Sequence, residues 1–253
     1  MVTQKQWRPD AVLMLISGIL VVISLASLAG IVAASLDHAK SWSDGTWFKF
    51  GTTGFCHVAI LALIHFFLKV HQTSWKEFLG LNSAQWRVGI LVGGVTGILM
   101  VPALLLVNEI SSLVLKSFRV VPVEQQVVVI VKSHSGSAQR LALAAAALVF
   151  APLVEESIFR GILYPAIRQR GHMLIALLFT SLLFAAIHAN LMTFFPLFLF
   201  AIILVVLYEL TDVLLTSMVA HAVFNAVNFL LLIYETPLTN WFQHLWQSVR
   251  ERI

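Results

Sequence analysis

Charge is what this chain has least of. Only 11% of its 253 residues are Asp, Glu, Lys or Arg, against about 25% in an ordinary soluble domain. Polar cover for a globule of this length is missing, which excludes a soluble enzyme. The 59% hydrophobic content excludes disorder and a coiled coil as well. Cysteine is nearly absent: the single Cys56 lies in an apolar run and cannot form an internal disulfide. The net charge of +4 is carried without a basic stripe or an aromatic platform, so no nucleic-acid partner is expected. The 16 Lys and Arg are scattered at the ends of apolar segments, where they snorkel towards anionic head groups.

What the chain has in abundance is apolar runs of spanning length, about 20 residues each. They fall at Ala11–Ser35, about 51–70, 88–115, a run starting near Leu141, 172–189, 193–210 and 213–234. The fold class is therefore all-α, a polytopic transmembrane bundle of about seven spanning helices, six to eight at the limits, with short interfacial helices. The first run follows Lys5 and Arg8 and exceeds the roughly 7–15 apolar residues of a signal peptide, so it reads as a retained helix. Ser74 to Leu81 mixes aromatic and charged residues, as an interfacial helix would. Lys116 to Arg140, with Pro122, Glu124 and the turn-like Ser133–Ser137, reads as extramembrane, with Val127–Val131 suited to the interface. The short connections after residue 141 demand that the last four helices pack as antiparallel neighbours. Basic residues divide seven against eight between the two sides and give no orientation.

Within this apolar chain the polar residues inside helices carry the information, since each ionisable group at mid-membrane is costly and usually functional. The fourth span holds Glu155-Glu156-Ser157-Ile158-Phe159-Arg160. Glu156 and Arg160 are i,i+4 and stack on one face, in the order that favours a pair. Adjacent carboxylates in a low dielectric resist carrying two charges, which suits the unpaired one to accept a proton as general base. Pro152, three residues before the pair, is placed to loosen the backbone and admit water. The fifth span carries Phe184 and His188, and the last carries His221 and Asn225, each pair again i,i+4.

Inward polar groups on three helices are most simply explained by one shared pocket. A carboxylate with an imidazole can deprotonate water, and imidazole and amide N–H groups can bind the oxyanion formed when that water attacks a carbonyl. Other routes to hydrolysis fail: there is no H-E-x-x-H, no G-x-S-x-G and no pair of Asp residues on adjacent helices. Two His and a Glu are also a zinc ligand set, so Glu155, His188 and His221 stand as the metal alternative. A proton relay in a transporter would use the same residue types.

In order and type, Glu155-Glu156-x-x-x-Arg160, Phe184-x-x-x-His188 and His221-x-x-x-Asn225 resemble the three signature motifs of the CPBP family. That family comprises CAAX prenyl endopeptidases and related bacterial intramembrane proteases, including proteins of bacteriocin processing and self-immunity. The motif-bearing region runs from about 145 to 230, and Gly161 and Tyr164 also suit the first motif. The resemblance implies that Glu155 activates water with help from His188, and that His221 and Asn225 stabilise the oxyanion. Glu156 and Arg160 would support the site, and Phe184 would pack beside it. Both metal-dependent and metal-free mechanisms belong to the family; without a zinc-type spacing here, no cofactor is expected, zinc or another divalent ion being the alternative.

The expected organisation is one membrane-embedded domain, 1–253, with residues 141–234 as the catalytic helix core and 235–253 as an amphipathic tail bearing Trp241, Phe242, Trp246, Arg250 and Arg252. The expected function is an intramembrane endopeptidase in a bacterial cell membrane, its partners the bilayer and a membrane-associated protein or peptide. A non-proteolytic immunity or scaffold protein is the alternative reading, ahead of a proton-coupled transporter.

Overall fold

A computed structural model describes residues 7–35, 46–132 and 136–250 of the chain, with side chains to Tyr234. The described residues form helices and connections only, an all-α architecture as the apolar runs predict. In chain order they are α1 (Pro9–Ser35), α2 (Thr46–Val70), α3 (Trp75–Phe78), α4 (Trp86–Ser117), α5 (Gln126–Lys132), the composite α6 (Ser137–Arg168), α7 (Met173–Ile187), α8 (Leu191–Thr211) and α9 (Leu214–Arg250). Six contain stretches long and apolar enough to cross a membrane, and α7 is the shorter apolar helix. The 15 residues of α7 cover about 22 Å at 1.5 Å per residue, less than the hydrocarbon thickness of about 30 Å. Seven apolar segments are therefore found where seven were expected, but α7, which ends at its C-cap His188, is shorter than the other six.

Short helices also form where interfacial ones were expected, at Trp75–Phe78 and at Gln126–Lys132. Ser74 caps α3 by accepting the Glu77 N–H, a local alternative to the missing intrahelical acceptor. The C-terminal tail continues α9 to Arg250 without a break. Its amphipathic side chains, together with Lys5, Lys40, Ser133–Ser135 and Arg252, lie outside the described residues.

Large apolar side chains such as Met14, Leu91, Leu99 and Leu210 are exposed along the outer faces, which a bilayer covers at no hydrophobic cost. One buried cluster joins α1 and α2 to α3 and the end of α6 through Trp7, Phe67, Phe78, Ile162 and Tyr164. A second surrounds the polar motifs and is built from Met100, Phe159, Phe184, Phe200 and Leu204.

The last four helices do pack on one another, but the closest partner of α9 is α4. Gly89, Gly93 and Gly97 recur every fourth residue of α4, all buried, and face Thr216 and Ala220 of α9. A Cβ on Gly93 would overlap the Thr216 carbonyl oxygen, and one on Gly97 would stand 2.7 Å from the Ala220 carbonyl oxygen. Small residues let two helices approach where no hydrophobic force draws them together. His221 follows Ala220, so this contact fixes the depth and rotation of the helix that bears the third motif.

Candidate active site

The helix α6 carries the carboxylates, and it is not a regular helix. Alpha-helical turns at Ser137–Ala145, Ala151–Glu156 and Tyr164–Arg168 are separated by π-helical stretches at Ala146–Phe150 and Ser157–Leu163. Such bulges are rare and concentrate at functional sites. Here they go together with two prolines, which lack the backbone N–H that a helix needs. The Ala151 N–H bonds back to Ala146, and the next donor along is Pro152, so the Ala147 carbonyl loses both helical donors. The Nδ2 group of Asn225 on α9 donates to that carbonyl at 2.8 Å. At the other bulge the residue four beyond Gly161 is Pro165, and the Gly161 carbonyl accepts instead from the indole Nε1–H of Trp7 at 2.9 Å. Pro152 was expected to loosen the backbone; the chain keeps its helical course and takes the missing donors from elsewhere.

The two adjacent glutamates have opposite surroundings. Glu156 is fully buried, and its Oε1 accepts from Arg160 Nη1 at 2.9 Å and from His221 Nδ1 at 2.8 Å. Arg160, also buried, donates through Nη2 to the Ala201 carbonyl at 2.9 Å and lies 4.8 Å from the centre of the Phe184 ring. The i,i+4 pairing of Glu156 with Arg160 is thus present, with His221 as a third member. Glu155 keeps 24% of its side chain exposed, and its Oε2 stands 4.0 Å from His221 Nε2. That oxygen has no hydrogen-bond partner in the protein.

With Glu156 Oε1 already accepting from the guanidinium, the His221 nitrogen facing it is assigned as a donor to the same oxygen. The ring is thereby oriented with Nε2 towards Glu155, by the same device that orients catalytic and metal-bound imidazoles. Its walls are aromatic: Phe200 lies edge-on at 5.0 Å and Phe184 at 6.1 Å between ring centres.

His188 is held by its own helix end. Its Nδ1–H donates to the Phe184 carbonyl at 2.7 Å, a C-capping bond, and Ala189 then turns the chain through φ +48°. The His188 ring packs on Phe184 at 4.9 Å. Phe184, almost wholly buried, is the body between His188 and His221. Glu155, Glu156, Arg160 and His221 are therefore brought together, His188 meets the same Phe184 ring as His221, and Asn225 bonds the Ala147 carbonyl. Among the described residues no three His, Cys, Asp or Glu side chains form a metal-holding group. Glu155, His188 and His221 do not fit a bound metal ion as they stand.

Residues outside the motifs complete the site: the Ala201 carbonyl, the Phe200 ring, Trp7, and the glycine face of α4. Of these only Trp7 leaves a trace in sequence, through the helix donor missing at Pro165.

Residues 137–227 match the family model described as type II CAAX prenyl endopeptidase Rce1-like. No curated protein and no solved structure matches the chain.

Proposed function

We propose that this multi-pass membrane protein is a protease of the type II CAAX prenyl endopeptidase Rce1-like kind, whose family model residues 137–227 match, and that Glu155 activates the water that cuts its substrate. The observation that carries this reading is the pair of Glu155 Oε2 and His221 Nε2, 4.0 Å apart, with the far side of the imidazole fixed on Glu156.

Charge balance supports the assignment. Glu155, Glu156, Arg160 and a protonated His221 sum to zero, so the cluster can be buried without a net charge. In that state Glu155 is a base whose buried Oε2 has no hydrogen-bond partner in the protein, and His221 Nε2–H is a donor facing it at 4.0 Å. Glu155 takes a proton from water, and the resulting hydroxide oxygen bonds to the scissile carbonyl carbon. The oxyanion accepts from His221 Nε2–H. As the tetrahedral species collapses, the C–N bond breaks and the leaving nitrogen takes the proton from Glu155, giving a carboxylic acid and an amine, and the acid then passes its own proton to the amine. His188 would help hold the water through Nε2, its other nitrogen being spent on Phe184. Asn225 has one N–H on Ala147 and a second for the oxyanion.

No step of this mechanism runs through a metal or other cofactor. The substrate proposed is a membrane-associated protein or peptide, of the prenylated CAAX type or a bacteriocin-like precursor, in a bacterial cell membrane. Residues 141–234 act as the catalytic core of a single embedded domain.

The test is cleavage of a farnesylated CAAX peptide and of an unprenylated leader peptide by the purified protein, followed by mass spectrometry. Cleavage of either, lost in Glu155→Gln, supports the reading and identifies the bond. Undiminished cleavage by Glu155→Gln contradicts it, and an immunity or scaffold protein would cut neither.

A further inference from the structure

Trp7 and Gly161 are 154 positions apart in the chain, yet the indole Nε1–H of one donates to the carbonyl of the other at 2.9 Å in a buried setting. The tryptophan is held unusually firmly. Gln169 clamps its backbone from both sides, Oε1 accepting from the Trp7 N–H at 3.0 Å and Nε2 donating to the Trp7 carbonyl at 2.8 Å. Phe67 and His71 meet its ring edge-on, both at 5.1 Å, and only 3% of the residue is exposed.

Where this indole lands matters more than how it is held. Gly161 follows Arg160 directly and lies within the π turn Ser157–Leu163. Gly161 has no room for a side chain, since a Cβ there would overlap the Phe78 ring. Pro165 denies its carbonyl the usual helical donor, and a buried carbonyl without a donor is costly. A helix relieves such a defect by changing its pitch. Removing the extra residue of a π turn rotates everything beyond it by about 100° relative to what precedes it. The Glu156–Arg160 pair spans this turn, so rewinding would pull the guanidinium away from the carboxylate.

We propose that Trp7 is a positioning residue of the site: its indole N–H holds the π turn in the register that keeps Arg160 on Glu156, and so His221 on Glu155. Trp7 touches no reacting atom, and its effect passes through the backbone of α6. The activity arm of the test rests on the protease reading above; the backbone arm does not.

The variant Trp7→Phe keeps an aromatic ring and deletes the donor. In the full-length protein in detergent, amide hydrogen exchange over residues 157–163 should quicken about tenfold, equivalent to roughly 1.4 kcal/mol. With a farnesylated CAAX peptide, kcat should fall about tenfold while KM stays within about twofold. Adding Pro165→Ala supplies an intrahelical N–H to Gly161 and should restore both readouts in the double variant, which simple loss of packing would not allow. Should Trp7→Phe not fold, Gln169→Ala releases the Trp7 backbone and should quicken exchange in the same peptide. Wild-type exchange in Trp7→Phe, or no rescue by Pro165→Ala, overturns the proposal. Absence of cleavage by the wild-type protein overturns the protease reading instead and leaves the exchange arm to decide this one.

Discussion

His221 Nδ1 lies 2.8 Å from Glu156 Oε1, in a pocket where the carboxylate is fully buried and already holds Arg160. The proposed mechanism depends on this bond more than on any other, because it chooses which imidazole nitrogen faces Glu155. In the proposed mechanism it also divides two neighbouring glutamates into different roles, one a fixed counter-charge and the other the base.

That division predicts opposite phenotypes for adjacent substitutions. Glu156→Gln leaves Arg160 as a buried charge without its partner, a loss worth about 3–5 kcal/mol in buried pairs. Its thermal unfolding in detergent should shift clearly downwards. Glu155→Gln removes a half-open side chain with no hydrogen bond on Oε2, and its unfolding should stay at the wild-type temperature while cleavage disappears. Equal melting of the two variants would show that the buried network is not as described.

Asn225 donates from Nδ2 to the Ala147 carbonyl in the first π turn. The conservative change Asn225→Asp keeps size and removes both N–H groups. It should be as damaging as Asn225→Ala, with cleavage reduced about 10²–10³-fold, the scale of a lost oxyanion donor. Steady-state kinetics on the two variants decides this, and an active Asn225→Asp enzyme would remove the amide from the mechanism.

The glycine face of α4 predicts a remote effect. Gly93→Ala forces a methyl group against the Thr216 backbone, whereas Gly94→Ala, one residue along, meets nothing within 4 Å. Gly93→Ala should lower the unfolding temperature and reduce cleavage by moving His221, and Gly94→Ala should change neither. Paired melting curves and rates for the two proteins test this directly.

Since Glu155, His188 and His221 do not form a metal-holding group, dialysis against a strong chelator should leave cleavage intact, and added zinc should not raise it. Loss of cleavage on chelation, with recovery on readdition of a divalent ion, would overturn the metal-free mechanism.

Much of this was legible in the residues. Apolar runs of spanning length predict the helices, because lipid leaves the backbone no other way to satisfy its hydrogen bonds. The i,i+4 spacing predicts the Glu156–Arg160 pair, because helical neighbours are set by local geometry. A shared pocket for His221 and the glutamates was legible, but the bond to Glu156 was not: spacing within a helix does not say which carboxylate an imidazole from 65 residues away will meet. The π turns were equally hidden, although Pro152 and Pro165 are their visible half. Their other half, Asn225 and Trp7, reaches Ala147 and Gly161 from distant segments. Gly89, Gly93 and Gly97 read as ordinary apolar composition until α9 is seen lying on them. The apolar run at about 172–189 predicts α7 to within two residues at each end, the turn at Ala189, φ +48°, closing it.

The most direct measurement is the rate at which purified wild-type protein and Glu155→Gln cleave a farnesylated CAAX peptide, with folding of both verified by thermal unfolding. The mechanism predicts cleavage by the wild type and a fall of about 10²–10⁴-fold or more in the variant, the scale of a lost general base, at unchanged stability. A folded Glu155→Gln protein that cleaves at the wild-type rate would contradict it.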